Sequence, residues 1–302
     1  ALAGSLVAVS ANAAEITMSG GASVAITSGD ETGKSTYYQN DSITFTVSGE
    51  TDGGLSITTS LELDGGANAS SSFDNRSLKI GHDTLGTITF SGHGGDSVLS
   101  GWDDKTPTAY EEAWALTTGN LKIDGVAGDN LWRYDSPELM PGLTVSASYQ
   151  SKEQTGSTGA YSDIGFMYSP EMLEGLTVGY AQQDVEVTTN TKGDESTMYA
   201  TYAMGGLTVG VQSSEFDPES GTTERDTTGL GISYQVNDDL SVSYGQHTTE
   251  YNSGDDQEAA AIGIAYTMGS MSISGSYHSV DNIANTATDD RNAYEVSVSF
   301  AF

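Results

Sequence analysis

The sequence predicts an all-β fold, and three observations lead to this prediction. Apolar and polar residues alternate along many short segments, as in residues 42–47 (SITFTV). Gly is abundant at 37 residues, Pro is scarce at 5, and Tyr outnumbers Phe by 16 to 7. Thr, Val, Ile and Tyr suit a pleated surface, whereas Gly, Asn and Asp suit turns. No long run has the apolar spacing of a helix, so strands joined by turns are expected.

The alternation also predicts how the strands are arranged. It recurs in residues 55–58, 207–211, 240–244 and 294–302, and a period of two gives each strand one apolar and one polar face. The polar face is made mostly of Thr, Ser, Gln, Glu and Gly. Two packed sheets could bury the apolar faces as a core. The number of strands and their regular connections instead favour one closed sheet, apolar outside and polar inside.

The connections alternate in length, and this alternation gives the strand count. Short turns are expected at 51–54, 82–85, 137–142, 170–175, 204–206, 236–239 and 268–269. Longer loops, acidic or rich in Ser and Thr, are expected near 28–39, 65–71, 93–128, 152–160, 188–194, 217–224, 251–256 and 282–290. Seven turns and eight loops join sixteen strands. The sequence therefore predicts a sixteen-stranded antiparallel transmembrane β-barrel with short periplasmic turns and long extracellular loops.

An aromatic residue recurs just before the short turns. The series is Tyr134, Tyr168, Tyr202, Tyr234, Tyr266 and Phe300, with spacings of 34, 34, 32, 32 and 34 residues. Each period corresponds to one strand up and one strand down. Aromatic rings with a polar tip are favoured at a membrane–water boundary, so the series predicts an aromatic girdle.

The charge balance excludes some functions. The chain has 42 acidic and 10 basic residues, a net charge of −32. Nucleic acid binding needs clustered Lys and Arg, so we expect no nucleic acid partner. The acidic residues are interpreted either as a solvated surface or as a vestibule that attracts cations. The absence of Cys excludes disulfides, thiolate zinc sites and Cys nucleophiles.

The first thirteen residues differ from the rest of the chain. Residues 1–13 are small and largely apolar and end in Ala11-Asn12-Ala13, which is an A-x-A cleavage pattern. We interpret them as the end of a secretory signal peptide, too short to span a bilayer. Residues 14–302 are then expected to form a single barrel domain.

Several motifs carry a resemblance to a known family. They are residues 15–20 (EITMSG), 47–55 (VSGETDGGL), 85–92 (LGTITFSG) and 133–137 (RYDSP), together with the terminal Phe302. In their order and spacing, the chain resembles the general bacterial porins, in particular those of alphaproteobacteria. The resemblance covers the chain from residue 14 onward.

The resemblance implies an outer-membrane pore for passive diffusion of small hydrophilic solutes. It also implies a homotrimer, contacts with outer-membrane lipid and lipopolysaccharide, and recognition of Phe302 by the barrel-assembly machinery. A third long loop, here His93 to about Gly128, is expected to fold into the barrel and to narrow it against basic residues on the wall.

The residues of the expected constriction are unbalanced in charge. The third loop carries five carboxylates, namely Asp96, Asp103, Asp104, Glu111 and Glu112. On the wall, strand alternation turns Lys79 and Arg133 inward and Arg76 outward. Thr89 stands where relatives often carry Arg. A lumen short of positive charge should prefer cations.

Two other functions remain open at this stage. One is a substrate-specific channel with a weak solute-binding site, in which Trp102, Tyr110 and Trp114 line the solute path. The other is an acidic exported β-protein with a structural role and no channel. An enzyme is not expected, because the four His are scattered and no G-x-S-x-G segment is present.

Calcium is the one ion that the loops suggest. The carboxylates Asp255, Asp256 and Glu258, and the pair Asp289 and Asp290, could supply oxygen ligands to Ca²⁺. They lack the spacing of an EF-hand. We nevertheless expect Ca²⁺ to bridge these loops and lipopolysaccharide phosphates. We expect no cofactor that the protein requires for its function.

Overall fold

The computed structural model describes residues 14–29, 35–64, 73–115, 125–151, 160–185, 193–218 and 224–302. The expected signal-peptide segment, residues 1–13, lies outside this range, as do parts of several long loops.

Sixteen strands of the described chain form one closed antiparallel sheet. The first five strands are β1 (Glu15–Gly29), β2 (Thr36–Glu50), β3 (Ser56–Asp64), β4 (Asn75–His82) and β5 (Gly86–His93). Two short strands, β6 (Gly95–Asp96) and β7 (Ala127–Gly128), pair with each other outside the barrel sheet. The barrel continues with β8 (Leu131–Asp135), β9 (Leu143–Gln150), β10 (Tyr161–Tyr168), β11 (Leu176–Val185), β12 (Gly193–Met204), β13 (Leu207–Pro218), β14 (Arg225–Gln235), β15 (Leu240–Tyr251), β16 (Gln257–Met268), β17 (Met271–Asp281) and β18 (Arg291–Ala301). The prediction of sixteen barrel strands is confirmed.

The barrel closes where its first strand meets its last. Strands β1 and β18 pair from Gly21↔Ala301 to Gly29↔Ala293. Just below this ladder, Gly20 and Phe302 exchange backbone hydrogen bonds of 2.8 and 2.9 Å. Closure leaves no sheet edge, so the backbone polar groups of each strand find partners on its two neighbours.

Side chains alternate across this sheet as the sequence predicts, with large apolar groups on the outside. In β14, for example, Leu230 and Ile232 are exposed on the outer surface, whereas Thr227 is buried on the inner one. The aromatic series from Tyr134 to Phe300 also faces outward, with exposed fractions between 38 and 49%. The inward-facing side chains of the described strands are mostly polar. Among the described residues, two buried apolar clusters lie between the third loop and the wall.

The short turns fall at the predicted positions, and glycine is required in two of them. Gly142 and Gly175 have φ of 81° and 90°, a region that disfavours a side chain. A β-carbon would lie 2.0 Å from the Ser169 carbonyl oxygen at Gly142, and 2.1 Å from that of Ala203 at Gly175. Each turn therefore packs against the next hairpin.

The first long loop is shorter than predicted. The bounds of 28–39 were too wide, because residues 36–39 already pair with β1, from Thr27↔Thr36 to Val24↔Gln39. In the described ranges, the helical segments are two 3₁₀ turns, Ser100–Trp102 and Ile283–Asn285, and none is long and apolar enough to cross a membrane.

The outward orientation of β14 leads to a testable prediction. Replacing Ile232 by Lys places a charge on the lipid-facing belt, where it should destabilise the barrel by about 2–4 kcal/mol if the site lies near the bilayer midplane. Ser233→Lys is the matched control, because Ser233 faces the lumen on the next position of the same strand. The measurement is urea unfolding in lipid vesicles; equal stability of the two variants would contradict the assigned orientation.

Candidate functional site: the infolded third loop

The third loop connects β5 to β8 through residues 94–130, of which 94–115 and 125–130 are described. Its base is closed by the β6–β7 pair and by a hydrogen bond between the His93 ring and the Asp129 carboxylate. The side chain of Gln150, on β9, also donates to the Asp129 carbonyl oxygen at 2.5 Å.

The loop then enters the barrel and is anchored first on β9 and β10. The backbone N–H of Val98 donates to Ser148 Oγ (3.0 Å), and that of Leu99 donates to Asp163 Oδ2 (2.9 Å). The Tyr161 hydroxyl donates to the same carboxylate oxygen at 2.7 Å. Val98 and Leu99 are fully buried, so these bonds satisfy backbone groups that water does not reach.

A glutamine of the wall fastens the next segment. Gln212, on β13, accepts a hydrogen bond from the Lys105 N–H at 2.6 Å and donates to the Trp102 carbonyl oxygen at 2.6 Å. The Trp102 ring meets the Tyr199 ring edge to face, with centroids 5.4 Å apart. This segment of the loop is therefore held on the wall by the hydrogen bonds of Gln212 and by the ring contact of Trp102.

Glycines on the inner wall make room for the loop. A β-carbon at Gly210 would lie 2.5 Å from Pro107 Cδ, and one at Gly231 would lie 2.9 Å from Pro107. At Gly165 it would lie 2.7 Å from Val98 Cγ1. Since real β-carbons do not approach so closely, these three positions must stay without a side chain for the loop to lie against the wall.

The tip of the loop reaches the last strands. The Tyr110 hydroxyl donates to the Glu295 carboxylate on β18, and the Ala113 carbonyl oxygen lies 3.2 Å from His278 Nδ1 on β17. Ala113 also packs in a buried cluster with Ala259, Ala261, Val280 and Ile283. The loop therefore follows the inner wall from β9 to β18.

Four of the five predicted acidic residues lie on the inner stretch of the loop, and all four are half-buried. These are Asp103, Asp104, Glu111 and Glu112, whereas Asp96 is exposed in β6 at the loop base. Burial, and then the charges of Glu295 and Asp104, raise the pKa of Glu111. Burial is also the main cause that raises the pKa of Glu112 to about 7; a backbone hydrogen bond opposes it and Asp104 adds to it. The loop therefore brings four carboxyl groups into the lumen, and two of them bind protons more readily than a solvated carboxyl does.

The predicted basic residues face this lumen from the wall. Lys79, on β4, and Arg133, on β8, both neighbour Thr89 across the sheet. In the ring of sixteen strands, β4 lies opposite β14, against which the Pro107 segment is docked. Arg76 faces outward, where its guanidinium donates to the Gly92 carbonyl oxygen at 3.4 Å.

Most of the positive charge on the described inner wall is paired with a nearby carboxylate. Arg133 Nε lies 3.0 Å from Asp135 Oδ1, and its Nη1 donates to the Ser97 carbonyl oxygen at 3.3 Å. Arg225 lies 3.8 Å from Glu195, and Arg291 lies 3.1 Å from Asp289. On the described wall, Thr89 separates Lys79 from Arg133, so the three positions do not form a row of basic residues.

The three aromatic residues of the loop differ in accessibility. Trp102 is 8% exposed and packed against the wall, so its ring is not available to a passing solute and we remove it from the predicted solute path. Tyr110 and Trp114 are half-buried, and a role of these two in a solute path stays a prediction.

Several residues of the site were not foreseen from the sequence. They are Tyr38, Asp163, Gln212, His278, Glu295 and the inward glycines. The alternation of apolar and polar residues would have placed each of them on the inner face. Their contacts with the loop follow from its course, which alternation does not determine.

Comparisons with known proteins agree with this architecture. The sequence model of a family described as Gram-negative porin matches residues 1–258 and 219–302. A comparison with curated protein sequences found no match.

Solved structures share the fold at low sequence identity. The anion-selective porin from Comamonas acidovorans has a TM-score of 0.72 and 17% identity, covering 96% of this chain and all of that one. A mutant of the porin of Rh. blastica also has a TM-score of 0.72 and 17% identity, covering 95% of this chain and all of that one.

The trimer form of the outer-membrane protein OmpT of Vibrio cholerae has a TM-score of 0.71 and 14% identity, with 96% of this chain and 100% of that chain covered. At such identities the structures establish the fold, and the family match establishes the relationship. The chain therefore belongs to the Gram-negative porin family, and it is a porin of the bacterial outer membrane.

Proposed function

We propose that this porin is a water-filled diffusion pore for small hydrophilic solutes and that it prefers cations. Sixteen strands enclose an interior too wide for side chains to fill, so water occupies it and solutes move down their gradients. The infolded loop then determines the size limit. No catalytic step is part of this proposal, in keeping with a family of channels.

One observation carries the cation preference. The wall arginines Arg133, Arg225 and Arg291 each lie beside a carboxylate, while the loop adds four carboxylates at the narrowing. The field of the lumen is therefore negative, which attracts cations and repels anions. The Comamonas relative is described as anion-selective, but at 17% identity its preference does not transfer to this chain.

The proposal is tested by the reversal potential of the purified protein in a planar bilayer under a KCl gradient. We expect the potential to have the sign of K⁺ selectivity. The preference should weaken as salt is raised, because salt screens the charges of the lumen. A reversal potential of the opposite sign would contradict the cation preference, and the absence of any conductance would contradict the pore itself.

A homotrimer is part of the proposal. It rests on the family and on the OmpT structure described as a trimer form. Recognition of Phe302 by the assembly machinery rests on the family resemblance alone. Conductance steps in groups of three would support the trimer, and independent single steps would contradict it.

Contact with lipopolysaccharide through Ca²⁺ is a separate proposal. Exposed, outward-facing carboxylates occupy the extracellular ends of several long strands, and Glu215↔Asp226↔Glu250 are direct neighbours across the sheet. Directly opposed like charges repel one another, and a divalent cation shared with a lipid phosphate would offset this repulsion.

The described residues contain no group of three or more His, Asp and Glu that could hold a metal, so the lipid would have to supply ligands. In membranes that contain lipopolysaccharide, we expect chelation to lower the thermal stability of the barrel. Unchanged stability would argue against calcium bridging.

A substrate-specific channel is the second candidate. Tyr110 and Trp114 are the aromatic loop residues that remain partly accessible. Saturable block of the conductance by one solute would favour this candidate over a general pore.

One prediction from this proposal concerns the charges on the wall. Thr89→Arg inserts a guanidinium between Lys79 and Arg133 and restores a row of three cations. We expect the reversal potential to shift toward anions. Arg76→Gln, which changes a charge on the outer surface, should leave selectivity near the wild-type value. No shift in the Thr89→Arg variant would mean that this row does not face the narrow part of the pore.

Another prediction concerns the effect of pH on cation preference. Because the pKa of Glu112 is raised to about 7, its carboxyl is largely charged at pH 8 and largely neutral at pH 6. Cation preference should therefore fall as the pH is lowered from 8 to 6. Glu112→Gln should have a lower preference than the wild type at pH 8, a preference close to that of the wild type at pH 6, and therefore a flatter profile. A wild-type profile as flat as that of the variant would contradict the assignment.

A further inference from the structure

One carboxylate outside the predicted site binds two tyrosines from distant parts of the chain. Glu295 is inward-facing on β18 and only 3% exposed. Its Oε1 accepts a hydrogen bond from Tyr110 at the tip of the third loop. Its Oε2 accepts one from Tyr38 on β2, at 2.5 Å. The two donors are 185 and 257 residues away in sequence.

The two contacts meet at the seam that closes the barrel. Glu295 pairs with Thr27 of β1, so its side chain lies directly beside the junction of the first and last strands. Tyr38 comes from the far side of β1, where it pairs with Ala25. The tyrosine therefore crosses β1 over a residue whose side chain is a single methyl group. The loop tip, the seam and the first hairpin are joined at one carboxylate.

The electrostatic setting makes these bonds important for the loop. A buried carboxylate is costly unless donors satisfy it, and hydrogen bonds to a charged acceptor are stronger than neutral ones. Burial, and then the hydrogen bond to Glu295, hold the pKa of Tyr110 well above its usual value, so the hydroxyl keeps its proton and remains a donor. Glu295 also repels the neighbouring Glu111 carboxylate, and this repulsion opposes the close approach of the loop tip to Glu295.

Neutral contacts accompany this bond near the tip. The His278 ring lies 3.2 Å from the Ala113 carbonyl oxygen, three residues beyond Tyr110, and Ala113 packs in its apolar cluster. Ser297 is a second hydrogen-bond partner of the Tyr110 hydroxyl. Behind Tyr110 lies Gly263, where a β-carbon would be 3.4 Å from the Tyr110 N. The tip therefore depends on Glu295 for its charged hydrogen bond.

We infer that Glu295 is a positioning residue, which fastens the tip of the third loop to the barrel seam through Tyr110 and thereby sets the width of the constriction. Tyr38 orients the carboxylate for this contact from the opposite side. The inference rests on the proposed function, in which the loop forms the narrow part of the pore. Within that function, the contact between Glu295 and Tyr110, which we call the latch, holds the loop tip in place.

The test is single-channel recording of Tyr110→Phe. The substitution removes one hydroxyl and changes no charge, and loss of a hydrogen bond to a charged group should raise the detached population of the tip by about tenfold or more. We expect greater open-channel current noise or altered conductance. Tyr277→Phe is the matched control, because it removes a hydroxyl bonded to Asn292 at 2.9 Å on the outer surface.

A second variant separates the latch from a purely structural role at the seam. Glu295→Gln keeps an acceptor oxygen but loses the charge, so its noise should fall between wild type and Tyr110→Phe. The double variant should be no noisier than Tyr110→Phe, because both changes break the same contact. Variants are compared after their heat-modifiable mobility has shown that the barrel is folded.

The outcomes are distinct. Suppose that the wild type conducts and that Tyr110→Phe behaves like both the wild type and Tyr277→Phe. This result would overturn the latch and leave the proposed pore function standing. Additive effects in the double variant would also overturn it. A wild type that does not conduct would instead overturn the proposed function.

Discussion

The molecule depends on closure of one sheet in a solvent that offers no hydrogen bonds. Within the hydrocarbon of a bilayer an open strand edge would leave backbone groups without partners, so the strands must form a ring. The pairing of β1 with β18 completes this ring, and the Gly20–Phe302 bonds extend it by one residue. Closure with sixteen strands also leaves an interior too wide for side chains to fill. The closed sheet therefore has no unpaired edge in the bilayer, and its interior is wide enough to hold water.

The third loop turns this wide tube into a narrow passage. It can do so because the inner wall has a track without side chains at Gly165, Gly210 and Gly231, and because Asp163, Gln212 and Glu295 bind the loop at its beginning, middle and tip. Hydrogen bonds to inward polar groups replace the core packing that would hold a loop in an ordinary globular domain. The apolar clusters around Trp102 and Ala113 add local burial at two of these points.

The sequence was sufficient to predict the barrel and insufficient to predict the site in detail. The barrel was predicted from strand alternation, from the two classes of connection and from the aromatic series that runs from Tyr134 to Phe300. These patterns are visible in the sequence itself and require no knowledge of contacts between distant residues. The loop contacts are not local: Leu99 meets Asp163 at a separation of 64 residues, and Tyr110 meets Glu295 at 185. Alternation turns Glu295 inward, but it does not reveal what the residue binds. Trp102 shows the same limit, because the sequence does not distinguish a loop aromatic that faces the solute path from one that packs against the wall.

The central claim is that the third loop lies against the inner wall opposite β4, and a cross-link tests it most directly. A β-carbon at Gly229 would lie 3.0 Å from Thr106 Cγ2, so a sulfur in the place of that γ-carbon would be within reach of a Cys at position 229, and the chain has no Cys of its own. Thr106→Cys combined with Gly229→Cys should therefore form a disulfide under mild oxidation, with conductance close to that of the reduced form. The pair Thr106→Cys and Ser77→Cys, with Ser77 on the opposite wall, should not cross-link. Failure of the first pair to cross-link, or cross-linking of the second, would contradict the account.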